Sequence, residues 1–275
     1  MTRSSSGWTC ALVCTVAWLA ATPGTAFAQF TFPTDPAVGE RYRIEVSGNL
    51  WLPSTDMIVA SESLGIFGDD IDLITDLGIE RRRSMREFRV VLRPARKHKF
   101  RLQYSPLHYS ASTTLTREFV FNGLRYRVGV PVDTVLDWTM LRLGYEYDFI
   151  HRDRGYVGFM MDARLMNVDL QLDSPIGLEY ARARGPVPSF GVTGRAYPAP
   201  FVSITGEVSF FKIPSGIDER YQASYVDIDV YGTINFTQWA GAQVGYRRFN
   251  IDYKIENDTG DLQVGGLYFA GVLRY

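Results

Sequence analysis

Four aspartates fall within eight positions at Asp69, Asp70, Asp72 and Asp76. Oxygen donors at that density suit Ca²⁺, but the run lacks the glycine and closing glutamate of a D-x-[DN]-x-[DN]-G loop. It reads equally as an acidic surface loop with a short amphipathic turn (Ile71, Ile74, Leu77) that caps or enters the rest of the molecule. These aspartates are weak metal candidates, and the reading assigns no metal and no cofactor. The three histidines are His98, His108 and His151. A nucleophile needs a base within reach, and the base an orienting group. His108 has hydroxyls nearby in sequence, Ser105, Tyr109 and Ser110, but no known catalytic motif surrounds it, so no catalytic residue is assigned. Arg81-Arg82-Arg83 can pair with phosphate groups or with the acidic run before it.

A second constellation emerges from the period of the chain. At 224–236, Val226, Ile228, Val230, Gly232, Ile234 and Phe236 alternate with Tyr225, Asp227, Asp229, Tyr231, Thr233 and Asn235. Strict alternation puts one apolar and one polar face on a β-strand. The pattern recurs and predicts ten strands, at 41–52, 83–93, 99–110, 134–149, 156–172, 187–197, 201–213, 223–237, 239–256 and 261–275. In two of them the alternation changes phase, and a one-residue bulge near Met166 and another near Arg247-Arg248 are expected. The polar face then carries Arg43, Glu45, Glu87, Arg89, Arg101, Arg142, Glu146, Asp162, Arg164, Arg195, Glu207, Asp227 and Asp229. With the apolar face outward, these thirteen line a narrow bore. Arginine forks and carboxylates in near balance suit a salt-bridged core better than a wide pore. A polar conduit or gate is the functional alternative.

The links support a barrel. Short turns at 93–98, 151–155, 197–200 and 237–239 alternate with longer links at 53–82, 111–133, 173–186, 214–222 and 257–260, with the long loops expected outside. Within 111–133, Asn122-Gly123 predicts a hairpin with a two-residue turn. Most predicted strands have the ~9–11 residues that a tilted strand needs to cross a bilayer.

Length and composition agree. The 275 residues are 14% aromatic with 25 Gly and 46% hydrophobic content, which favours an all-β chain. Lys+Arg total 29 against 30 Asp+Glu, so no overall basic field exists to hold nucleic acid. Arg3, the apolar stretch 8–21 and Ala26-Phe27-Ala28 form a secretory leader with a cleavage site after residue 28. Both cysteines, Cys10 and Cys14, lie within it, so residues 29–275 form a Cys-free barrel domain.

The last strand ends Leu267, Phe269, Gly271, Leu273, Tyr275. This resembles the C-terminal assembly signal of bacterial outer-membrane barrels. More broadly the chain resembles the small OmpA-transmembrane-like and OmpW-like barrels of Gram-negative bacteria. The resemblance implies an antiparallel up-and-down barrel in the outer membrane, partnered by lipid and lipopolysaccharide, and assembled by the outer-membrane insertion machinery. It also implies a non-enzymatic role in envelope structure or small-ligand passage, without fixing the oligomeric state. The alternatives are a barrel enzyme acting on lipid or peptide at the outer face, and a soluble secreted β-barrel.

Overall fold

The computed structural model describes residues 37–60, 68–213, 221–255 and 258–275; the leader expected at 1–28 lies outside them. Ten long antiparallel strands form the wall. They are β1 (Ile44–Ala60), β3 (Met85–Ala95), β4 (His98–Thr114), β7 (Pro131–Arg152), β8 (Gly155–Ser174), β9 (Gly177–Ala199), β10 (Val202–Lys212), β11 (Tyr221–Asn235), β12 (Ala240–Ile255) and β13 (Asp258–Arg274). Each pairs with its sequence neighbour in the wall, and β1 pairs with β13 from Glu45↔Arg274 to Ala60↔Thr259, closing the barrel. Closure leaves no free sheet edge, which a lipid environment demands. Among the described residues, no helix is long and apolar enough to cross a membrane.

Three short strands lie outside the wall count. β2 (Ile71–Asp72) pairs with Ile58 and Val59 at the top of β1. β5 (Phe119–Phe121) and β6 (Leu124–Tyr126) form a separate hairpin. Its two-residue turn is Asn122-Gly123, with φ of 48° and 82°, the left-handed backbone that Asn-Gly supplies readily. The hairpin folds over one end, so the wall stays at ten strands.

Four wall connections at one end, the turn end, are tight. At the other, the loop end, the strands run farther than the alternation alone suggested. The segment 173–186, expected as a loop, is wall: β8 and β9 pair continuously from Ser174↔Gly177 to Gly155↔Ala196. Pro186 and Pro188 are accommodated within β9.

The two expected bulges are absent. β8 pairs with β7 and β9 without interruption at Met166, and β12 keeps register with β11 and β13 through Arg247 and Arg248. The geometry stays in phase while the chemistry of the two faces exchanges. On β8, Phe159, Met161 and Leu165 are exposed opposite buried Asp162 and Arg164, whereas farther up Leu170 and Leu172 are buried and Asp173 is exposed. The wall shifts register in the β7–β8 pair between Asp148 and Ile150, and in the β3–β4 and β9–β10 pairs near their turns.

Nearer the turn end, the outer surface is a continuous apolar band. Leu50, Phe88, Phe100, Leu143, Val192, Ile228, Val244 and Phe269 are all between 44% and 51% exposed while charged residues fill the inside. A soluble barrel would put these side chains inward. An exposed apolar girdle of this extent faces lipid.

Candidate functional site

The bore is filled from end to end, in layers. At the turn end, residues 37–43 do not join β1 as the alternation at 41–52 implied, but tuck beneath the barrel. The Val38 N–H donates to the Pro200 carbonyl at 2.7 Å, and the Asn235 amide donates to the Val38 carbonyl at 2.8 Å. This carries Glu40 into the mouth. Its carboxylate accepts from the Tyr197 hydroxyl at 2.7 Å, from Arg93 at 3.2 Å and from Arg195 at 3.4 Å. Beside it, Arg274 donates to Glu45 at 2.5 Å and to Asn235 at 2.7 Å.

The middle of the bore is an ion-pair lattice. Lys99 lies 2.7 Å from Glu146 and 3.0 Å from Asp148, with its ammonium 3.3 Å above the Tyr156 ring. Arg101 contacts Glu146 and reaches Glu207 at 2.7 Å; Arg142 meets Asp162 at 2.7 Å. Arg89 and the Tyr268 hydroxyl share Asp229 at 3.3 and 2.9 Å. Asp227 takes a two-pronged contact from Arg247 at 3.1 and 2.9 Å, a third donor from Arg164 at 3.2 Å and a fourth from Tyr225 at 2.9 Å. Arg247 also reaches Glu87 at 3.0 Å, which Ser105 and Gln103 support. Among the described residues, nine cations and nine carboxylates are buried. Buried charges are tolerable when paired and further hydrogen-bonded.

Above Arg247 the filling turns aromatic and aliphatic. Phe249 stacks on Tyr225 (6.3 Å), meets Trp138 edge-on (5.4 Å) and lies tilted against Trp51 (5.8 Å), and the Arg247 guanidinium lies 5.4 Å from the Trp51 ring. An apolar cavity of about 60 Å³ remains among Met57, Leu136, Trp138 and Val168. At the loop end this layer continues into a lid. Ile71, Leu73, Leu77 and Ile79 pack with Leu115, Phe119, Phe121 and Tyr126 of the hairpin segment in one buried cluster. Arg117 ties the halves of the lid, donating to both Asp76 oxygens, at 2.7 and 2.5 Å, and to the Asp70 carbonyl. That hydrogen bond holds the Asp76 carboxyl below the usual carboxylate range.

Twelve of the thirteen charged residues expected in the bore are buried within it: Glu45, Glu87, Arg89, Arg101, Arg142, Glu146, Asp162, Arg164, Arg195, Glu207, Asp227 and Asp229. Arg43 is exposed, because the chain bends at 43–44, where both N–H groups donate to the Tyr275 carbonyl. Sequence reasoning missed Glu40, Arg93, Lys99, Asp148, Arg247 and Arg274. Lys99, Asp148 and Arg274 sit at the correct parity two positions beyond an assigned or apolar partner, so parity alone could have found them. Arg247 was hidden by the presumed bulge. Leu267, Phe269, Gly271 and Leu273 face outward on β13, and Tyr275, just past its end, is exposed.

The aspartate run does not converge on an empty centre. Asp69 accepts from the Val120 N–H, Asp72 caps Ile74 and Thr75, and Asp76 faces Arg117. Among the described residues, no three His, Cys, Asp or Glu side chains are disposed to hold a metal ion. The triple arginine disperses: Arg81 pairs with Asp56 at 3.0 Å, Arg83 stacks over the Tyr109 ring, and Arg82 lies opposite Ser54. His108 faces outward, 2.6 Å from Asp137, whereas Ser105 points inward to Glu87, so these two lie on opposite faces of β4. Tyr109 is buried as well. His98 hydrogen-bonds Tyr145 at the turn-end rim.

A closed ten-stranded antiparallel barrel, lipid-facing outside and ion-paired inside, is the architecture of bacterial outer-membrane proteins. No family model matches the chain, and no curated protein does. Among solved structures it is similar to the outer membrane protease OmpT of Escherichia coli, with 10% identity over 88% of this chain and 99% of that one and a TM-score of 0.52. The Pseudomonas putida toluene transporter TodX matches at 8% identity, 90% and 92% coverage and a TM-score of 0.32. Ail of Yersinia pestis matches at 8% identity, 84% and 98% coverage and a TM-score of 0.34. At these identities the likeness concerns the fold.

Proposed function

We propose that this chain is a sealed, non-enzymatic integral protein of the bacterial outer membrane, exported by its leader, whose role is structural and whose working surface is the lidded loop end. The observation that carries this reading is the bore. It is stopped in series by the Glu40 plug, by a lattice of paired cations and carboxylates, and by an aromatic layer continuous with the lid; plug and lattice together bury nine cationic and nine acidic side chains among the described residues. A conduit would need all three displaced. The narrow ten-stranded wall speaks for a small barrel over a wide porin, and the likeness to the OmpA-transmembrane-like and OmpW-like group rests on the C-terminal strand pattern. The non-enzymatic half of the reading rests on the outward histidine. His108 and Asp137 form an exposed pair of the Asp/His kind that a barrel hydrolase would also use, but the neighbouring Ser105 hydroxyl turns into the bore to Glu87 and Tyr109 is buried, away from the ring.

The test is a planar-bilayer recording on detergent-folded protein whose gel mobility is heat-modifiable. Folded protein is expected to give no discrete conductance steps. Regular steps that vanish on heating would overturn the sealed reading in favour of a channel.

A further inference from the structure

We propose that the unpaired edge of β9 above the apolar band takes up an extended peptide as an additional strand, one that alternates acidic and apolar residues. The proposal rests on the reading above, which makes the loop end the working surface, and names the partner that this end fits. Closure of the barrel removes the sheet edge only as far up as the shorter strands reach. β9 pairs with β8 along its length, from Ser174↔Gly177 to Gly155↔Ala196, without a shift of register. With β10 it pairs only up to Phe210↔Phe190. Beyond that pair β10 stays with β11, through Lys212↔Ser224 and the Ile213 N–H donating to the Ala223 carbonyl at 2.8 Å. From Gly177 to Ser189, β9 therefore has a strand partner on one side only among the described residues. The Tyr197 N–H donates to the Arg154 carbonyl at 3.1 Å, so the odd positions of β9 direct their N–H and C=O groups to β8. The even positions point to the open side. Pro186 and Pro188 are even, so neither removes a donor from the β8 ladder, and they block only the stretch next to the apolar band. Above them the N–H and C=O groups of Leu178, Tyr180, Arg182 and Arg184 are left for another strand.

The two faces of this edge set the chemistry of the partner. On the outer face Arg182, Arg184 and Lys212 are exposed. The two arginines share one carboxylate, Asp169, at 2.9 and 3.7 Å, and Lys212 has no ion-pair partner among the described residues. Acidic side chains on an added strand complement them. On the inner face Ala181, Val187 and Phe211 are only partly buried against the apolar core, and a methyl group built on Gly185 would meet nothing within 4 Å. That room suits apolar side chains. Glu179, higher on the same face, is taken by the Asn122 amide at 2.5 Å. A strand presents its side chains to the two faces in turn, which fixes the alternation of the partner. A second copy of this chain does not meet the requirement. Copies inserted in one membrane point the same way, so a neighbouring β9 would run parallel, whereas the ladders on either side of β9 are antiparallel.

The test is fluorescence anisotropy of a labelled synthetic peptide that alternates glutamate and valine over about seven residues, the reach from Leu178 to Arg184, titrated with the full folded chain in detergent. Saturable binding is expected. In an antiparallel addition the peptide residues bonded to β9 carry their side chains on the same face as Arg182, so they are the glutamates. Methylating the glutamate backbone nitrogens is expected to weaken binding about tenfold or more, while methylating the valine nitrogens leaves it unchanged. A lysine–valine peptide is expected to bind about tenfold more weakly or worse. Tyr180→Pro, which removes one edge N–H and spares the β8 ladder, is expected to weaken the peptide to a similar degree. Equal binding of the parent and glutamate-methylated peptides would overturn strand addition. Equal binding of the lysine peptide would overturn the acidic partner, and no binding by folded protein would overturn both. Heat-modifiable mobility verifies folding of wild type and variant. A chain that never shows that mobility refutes the outer-membrane reading itself, which separates that failure from failure of the edge.

Discussion

The two halves of the bore are built from the same strands with opposite chemistry. On β7 near the turn end, Leu143 and Tyr147 face out while Arg142 and Glu146 face in; farther up the same strand Asp137 faces out while Leu136, Trp138 and Met140 face in. On β4, Phe100, Leu102 and Tyr104 outside Arg101 and Gln103 give way to His108 and Ser110 outside Leu107 and Tyr109. The backbone does not change; the surrounding medium does. The lower half is a membrane barrel, apolar outside, and the upper half is a water-exposed barrel, apolar inside. A strand that crosses between media must exchange its faces without breaking step. That explains why polarity inverts at Met166 and at Arg247-Arg248 with the ladder intact.

Removing the hub of the polar half is expected to have the largest effect. Asp227→Ala leaves Arg164, Arg247 and Tyr225 without their shared acceptor, and is expected to cost about 3–5 kcal/mol, read as a lower urea midpoint for loss of the heat-modifiable form. Phe249→Ala removes the hub of the apolar half. It should cost about 3 kcal/mol and show first as protease sensitivity at the loop end, with the membrane band still protected. If the two variants failed at the same place and midpoint, the halves would be one cooperative unit and the contrast would be lost. Arg117→Gln should loosen the lid by less than about 1 kcal/mol, because that arginine is partly exposed. The Asp76 carboxyl sits below its ordinary value of 3.8 in the folded lid, so the contact is present above that value and is lost as pH falls through the depressed one. Lid protection against proteolysis is thus expected to be flat through neutral and mildly acidic pH and to decline only in strong acid. The smallest effect is assigned to His108→Ala, within about 0.5 kcal/mol of wild type and without loss of any hydrolytic activity the folded protein shows. A lost activity would revive the enzyme alternative.

Ten strands, their order and the inward parity of most charged residues were legible because alternation is a backbone property that survives any packing detail. The inversion at Met166 and Arg247-Arg248 was visible too, but a slip of register and a change of medium leave the same trace in one sequence. Only the partner strands tell them apart. The part of β9 before 187 was read as a link, and the plug was obscured by the accident that Tyr42 continues the alternation of β1 while the backbone turns away at 43–44. Glu40 carried no signal at all, since its partners Arg93, Arg195 and Tyr197 come from two distant strands.

The seam between β1 and β13 has a kinetic consequence. Arg274 meets Glu45 across 229 positions of chain, and the sixteen register pairs of that seam form only when the last strand arrives beside the first. Loop-closure entropy makes so non-local a contact slow. Until it forms, both edge strands would present bare N–H and C=O groups that hydrocarbon cannot accept. Insertion and closure must therefore proceed together, and the rate-limiting encounter is between the two ends of the wall rather than within any hairpin along it.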